Sequence, residues 1–182
     1  VYYAVWEKDT FSATFIYSDL CEVYAENDLN TAILTDEFKY GEDYTFLVSH
    51  NASQIKNDKM QVTADGSLLL PVSTKKINSN TVYTYTIKGA TNNLNIIIDG
   101  LEKLTYAIAY DTDGGTLSSP VYSYVAGEAA TLPTPVKDGY VFDGWYENDI
   151  KVSDELIYKF NATYNRHLVA KCLPKVIKCL PD

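Results

Sequence analysis

Apolar and polar residues alternate with period two along much of this chain, the repeat of a strand with one face buried. Phe11–Tyr17, Tyr44–Val48, Val82–Ile87 and Leu94–Asp99 are short runs rich in β-branched and aromatic residues. The clearest is Val82–Lys88, where Tyr83, Tyr85 and Ile87 face one way and Val82, Thr84 and Thr86 the other. Between the runs lie clusters of turn formers, such as Ala64-Asp65-Gly66-Ser67, Asn78-Ser79-Asn80 and Thr91-Asn92-Asn93. Short strands at regular spacing, separated by such turns, predict an antiparallel β-sandwich. Asp28–Phe38 fits less well. Apolar residues at 29, 33 and 38 would suit a helical turn, but its Thr, Asn and Asp residues are weak helix formers, so a loop or strand is expected.

From Thr105 the texture changes. Tyr106–Tyr110, Val121–Val125, Tyr140–Tyr146 and Arg166–Lys171 read as four further strands. Asp113-Gly114-Gly115 marks a turn, and Leu132-Pro133-Thr134-Pro135 is an extended crossing with two missing backbone donors. Strict alternation places Tyr140, Phe142 and Tyr146 on one face and Trp145 on the other. The boundary between the two textures falls near Gly100 to Leu104. The organisation expected is a fragment at 1–8, a sandwich at 9–103, a smaller module at 104–172 and a tail at 173–182.

Charge narrows the partners. The chain has 182 residues, 15 basic and 24 acidic, for a formal net charge of −9. With Arg166 its sole arginine, it lacks the basic footprint that nucleic acid or anionic lipid requires. No apolar run reaches the roughly 20 residues of a membrane helix. The beginning lacks both a signal-peptide pattern and an initiator Met, so the chain reads as a piece of something longer. Cys21, Cys172 and Cys179 are too few for a disulfide scaffold. The near-duplicated tail Lys171-Cys172-Leu173-Pro174 and Lys178-Cys179-Leu180-Pro181 leaves a Cys172–Cys179 bridge and two free thiols as equal alternatives.

The second half carries a specific pattern. Tyr110-Asp111-Thr112-Asp113-Gly114-Gly115 is followed by Leu132-Pro133-Thr134-Pro135. Then come Gly139-Tyr140-Val141-Phe142-Asp143-Gly144-Trp145-Tyr146 and His167-Leu168-Val169-Ala170-Lys171-Cys172. This resembles the Listeria–Bacteroides repeat, the internalin-type B-repeat, over roughly Leu104 to Cys172. The family usually closes on Ala-Lys-Trp, and Cys172 stands where that Trp would be. Val1–Trp6 resembles the closing strand of a preceding copy. The resemblance implies a small β-grasp-like module in a large secreted or wall-attached bacterial protein, at the cell surface and beside neighbouring repeats. The middle segment is similar, more loosely, to the immunoglobulin-like modules that accompany such repeats. The fold expected is thus mainly β, an immunoglobulin-like sandwich followed by a β-grasp-like unit.

Catalytic patterns are missing. There is no Gly-x-Ser-x-Gly elbow, no phosphate-cradling glycine loop and no His-Glu-x-x-His. Asp111-x-Asp113-Gly114 fails as an EF-hand loop because Tyr122 occupies the twelfth position, so it reads as a hairpin turn. His50 and His167 form no zinc pattern. No cofactor and no metal is expected. A glycosidase built on two carboxylates ranks last among the functions considered. The aromatics are the best handle on binding, since the chain has 16 Tyr. Most should fill the cores of small modules, and the strand tyrosines Tyr83, Tyr85, Tyr122 and Tyr124 are the candidate ligand contacts. The expected role is a non-catalytic adhesion or spacer segment contacting a host or matrix protein or glycan. The alternative is a carbohydrate-binding accessory module of a secreted polysaccharide-degrading system.

Overall fold

The alternating runs fold as strands, and no helix is present among the described residues. The computed structural model describes residues 2–153, 157–159 and 164–175. The chain divides into two compact units, Val1–Lys103 and Leu104–Asp182.

In the first unit the strands are β1 (Thr10–Ile16), β2 (Glu22–Ala25), β3 (Thr35–Lys39), β4 (Glu42–Asn51) and β5 (Ile55–Lys56). They continue with β6 (Gln61–Ala64), β7 (Ser67–Leu69), β8 (Ser73–Ile77), β9 (Asn80–Ala90), β10 (Leu94–Asp99) and β11 (Glu102–Lys103). One sheet has the order β3-β1-β10-β6-β7, the other β2-β4-β9-β8, and β5 pairs with β11 in a short ribbon. The inward residues of both sheets form one core, with Ala13, Phe15, Val23, Phe46, Val62, Tyr85 and Ile96 at its heart. This is a sandwich, because each sheet buries one face on the other. Phe15 of one sheet meets Phe46 of the other edge-on at 5.2 Å between ring centroids. The burial of β10 alternates perfectly, Leu94, Ile96 and Ile98 in and Asn95, Ile97 and Asp99 out.

Two features of this unit go beyond the alternation. The doubtful segment at 28–38 contains no helix; it ends in β3, which pairs antiparallel with β1 from Thr10↔Lys39 to Thr14↔Thr35. And β1 runs parallel to β10, Ala13 opposite Leu94, which closes the first strand of the sandwich against the last. Residues 2–9 form no strand, and Tyr2, Tyr3, Val5 and Trp6 are exposed. A closing strand needs partner strands to satisfy its backbone, and among the described residues this segment has none.

The second unit has β12 (Thr105–Asp111), β13 (Ser123–Val125), β14 (Ala129–Thr131), β15 (Tyr140–Glu147), β16 (Ile150–Ser153), β17 (Ile157–Lys159) and β18 (Arg166–Pro174). Its sheet has the order β13-β12-β18-β15-β16, and β14 pairs separately with β17. The first and last strands, β12 and β18, sit at the centre and run parallel. Ile108, Tyr124, Leu132, Trp145, Leu168 and Ala170 form the core. β18 continues to Pro174, two residues beyond the expected end of the module, because Leu173 and Pro174 still pair with Val141 and Tyr140.

Trp145 does not lie opposite Phe142. The register between β15 and β18 slips between Phe142↔Cys172 and Gly144↔Lys171, leaving Asp143 without a partner. This β-bulge adds one residue and inverts the alternation after it. Phe142 and Trp145 therefore share the core face, 5.5 Å apart between centroids, and Tyr146 turns outward beside Val169. Gly144 has φ +153°, backbone that suits glycine. Cys172 packs no Trp-sized volume at the end of the repeat; it sits half-buried opposite Phe142. Its pairing with Cys179 lies outside the described residues.

Candidate functional site

The four tyrosines proposed as contacts have different fates. Tyr85 is 2% exposed and stacks on Phe46 at 5.4 Å, and Tyr124 is 3% exposed. Both are core residues, which corrects the expectation that they present rings to a ligand. The reason is parity: Tyr85 occupies an inward position of β9, and Tyr124 one of β13. Tyr124 keeps its hydroxyl satisfied by donating to the Tyr164 carbonyl at 2.6 Å. Tyr83 is half-buried, stacked on the buried His50 at 5.8 Å, with its hydroxyl accepting from Asn57. Tyr122 is 65% exposed and stands edge-on to Tyr110 at 6.2 Å. It is the one of the four with an open ring.

The turn at Asp111–Gly115 is closed from within. Asp113 has φ +49°, and its backbone N–H donates to Asp111 Oδ1 at 3.0 Å. Lys137 Nζ lies 2.7 Å from both the Asp113 carboxylate and its carbonyl. That carboxylate is the first cause holding the Lys137 ammonium above its ordinary pKa. Among the described residues no three His, Cys, Asp or Glu side chains group closely enough to hold a metal ion.

A different cluster forms on the outward face of the second unit, where alternation along β18 turns His167, Val169 and Lys171 away from the core residues Leu168 and Ala170. Tyr146 of β15 lies opposite Val169 on the same face. The β15–β16 hairpin closes through Asn148 and Asp149 with φ +50° and +63°, the two positive angles of a type I′ turn. Together with Glu147, Tyr164 and Asn165 these residues line a concavity of about 370 Å³.

Its walls are held in place by ion pairs and hydrogen bonds. Glu147 Oε2 lies 3.1 Å from Arg166 Nη2, with side-chain exposures of 14% and 9%. The same carboxylate accepts from the Tyr164 hydroxyl and from the His167 backbone N–H, each at 3.3 Å. Arg166 also donates to the Tyr164 hydroxyl at 3.0 Å, and its guanidinium lies 5.3 Å from that ring centroid. A shielded pair with this many hydrogen bonds is far better fixed than an exposed one. At the other side, Lys171 Nζ reaches Asp149 at 3.0 Å and sits 4.3 Å over the Tyr146 ring. Tyr146 donates to Asp143 at 2.5 Å. That hydrogen bond is the main cause lowering the Asp143 pKa, with Lys151 and Lys171 assisting, and the main cause raising that of Tyr146. Both Glu147 oxygens accept from donors, so the carboxylate fixes the positions of Arg166, Tyr164 and the His167 backbone.

Of this cluster the sequence marks Tyr146 as a core ring, His167 as a histidine outside any zinc pattern, and Val169 and Lys171 as part of the repeat motif; Asn148, Asp149, Tyr164 and Asn165 carry no sign of a site there. One signal was available: Asn148-Asp149 between two apolar-alternating runs is a hairpin-turn pair. The adjacency of β15 and β18 has no such local sign.

Residues 106–171 match the family model of the Listeria-Bacteroides repeat domain. No curated protein and no solved structure matches the chain. The second unit is thus similar to a repeat that is found in surface proteins. Among the described residues no helix is long and apolar enough to cross a membrane.

Proposed function

We propose that this chain is a non-catalytic segment of a secreted bacterial surface protein, in which the two β units act as an adhesion or spacer module. The observation that carries the reading is the repeat match over residues 106–171. The strand order of the second unit, with first and last strands parallel at the centre, supports a β-grasp-like assignment. The two-sheet core of the first unit supports an immunoglobulin-like one. Small modules of this kind, joined in series, carry contact surfaces away from a cell without enclosing a catalytic cleft. The partners proposed are a host or matrix protein or glycan, with Tyr122 among the exposed contact groups, and neighbouring repeats of the same protein.

The test is surface accessibility. Antibodies against the chain should label intact producing cells, and brief proteolysis of those cells should remove the signal. Labelling that appears only after lysis would overturn the reading. Beads coated with the chain and passed over immobilised matrix proteins then separate adhesion, which retains them, from a spacer role, which does not.

A further inference from the structure

We infer that the concavity between the β15–β16 turn and β18 is a binding site for a neutral saccharide. This deepens the contact role proposed above by naming a ligand class and a place. The size is adequate: about 370 Å³ lies within the range of about 300–1,000 Å³ of small-molecule sites.

Charge selects the ligand first. Two cations, Arg166 and Lys171, are each engaged by a carboxylate, Glu147 at 3.1 Å and Asp149 at 3.0 Å. The site is therefore close to electroneutral. An anion would have to displace Glu147 or Asp149, and a cation would have to displace Arg166 or Lys171. Either exchange returns little, because one charge-assisted bond replaces another. A wholly apolar ligand fits poorly for a different reason: beside Tyr146, Tyr164 and Val169 the walls carry amides, an imidazole and carboxylates, whose desolvation would be uncompensated.

The free hydrogen-bonding groups then point to hydroxyls. Asn165 Oδ1 already accepts from the Ala107 N–H at 2.9 Å, which leaves its amide N–H groups to donate. No side-chain hydrogen bond ties up Asn148 or the exposed imidazole of His167 among the described residues. Together these offer donors and acceptors in one small space, which a hydroxyl, being both, can match. Tyr164 is 54% exposed, and Arg166 and Glu147 hold its ring in position. A ring that is open on its surface yet fixed beneath is a platform for the C–H face of a sugar, and it loses little side-chain entropy on binding.

The experiment uses the full 182-residue chain, ¹⁵N-labelled and titrated by NMR. The probes are glucose, galactose, N-acetylglucosamine, lactose and cellobiose, with inorganic phosphate as the charged control. At least one saccharide should give saturable shifts confined to amides around Asn148, Asp149, Asn165 and His167, and phosphate should not. Tyr164→Ala should weaken that binding by about tenfold or more. Asn148→Gly, which keeps the turn's positive φ but removes the amide, should weaken it while leaving the rest of the spectrum unchanged. The inference is overturned if no neutral saccharide gives saturable shifts at tens of millimolar. It is equally overturned if phosphate competes for the same amides, or if Asn148→Gly binds as the parent does. Failure here with intact surface labelling leaves the surface-module reading standing, so the two are separately decided.

Discussion

Truncating Trp145 to Ala should strongly destabilise the second unit and leave the first intact. The indole is 1% exposed, lies 4.9 Å from Tyr110 and 5.5 Å from Phe142 between centroids, and donates from Nε1 to the Pro133 carbonyl at 2.9 Å. Removing a buried Trp costs about 3–5 kcal/mol through lost transfer energy and the cavity left behind. Leaving the Pro133 carbonyl unpaired adds about 1 kcal/mol. A unit of this size has a total stability of about 4–12 kcal/mol, so at least about a third of it, and up to all of it, is at stake. Urea unfolding followed by NMR measures this, with the amides of Leu168 and Ala170 reporting on one core and those of Ile96 and Phe46 on the other. The second-unit midpoint should fall by at least about a third, and the first-unit midpoint should not move. Trp145→Phe should fall less, since it loses the hydrogen bond and part of the volume only. An unchanged second-unit midpoint in Trp145→Ala would refute the assignment of Trp145 as the centre of that core.

The remaining predictions concern the first unit. Burial lowers the His50 pKa below its unfolded value of about 6.5, so the unfolded chain takes up the proton more readily. The stability this contributes is complete above about pH 6.5 and falls as the pH drops toward the depressed folded value. The difference in urea midpoint between the parent and His50→Gln should therefore narrow between pH 7 and pH 5, and a constant difference would count against it. Burial, and secondarily Glu22, push the Cys21 thiol up to about 11. In a Cys172→Ser, Cys179→Ser background it should react with a disulfide reagent about a hundredfold more slowly than a free thiol, and at the ordinary rate in urea. Gly100→Ala would place a Cβ 2.0 Å from the Lys59 carbonyl oxygen at φ +77°. Its first-unit stability should drop by about 2–3 kcal/mol, read as a urea midpoint, with the second unit unaffected.

What the sequence determined by itself was the class of structure and its punctuation. Period-two runs rich in β-branched and aromatic residues bury one face only as strands, and Gly, Asn and Asp clusters supply the positive φ of the turns between them, as at Asn78 and Gly66. The repeat motif was legible for the same reason: its residues are neighbours along the chain. The face of Trp145 was not, because alternation counts residues, whereas the bulge at Asp143 was set by how β15 had to lie on β18 to bring Phe142 and Trp145 into one core. The same limit hid the parallel pairs β1–β10 and β12–β18 and left β2, β5 to β8, β11, β14, β16 and β17 unmarked. Strand partners far apart in sequence are selected by the complementarity of whole faces, not by any local pattern. The candidate site shows this most clearly. Its Glu147, Asn148 and Asp149 belong to one hairpin, its Tyr164 and Asn165 to the approach to β18 and its His167 and Lys171 to β18 itself, about twenty residues later, and only the register between β15 and β18 makes them one surface.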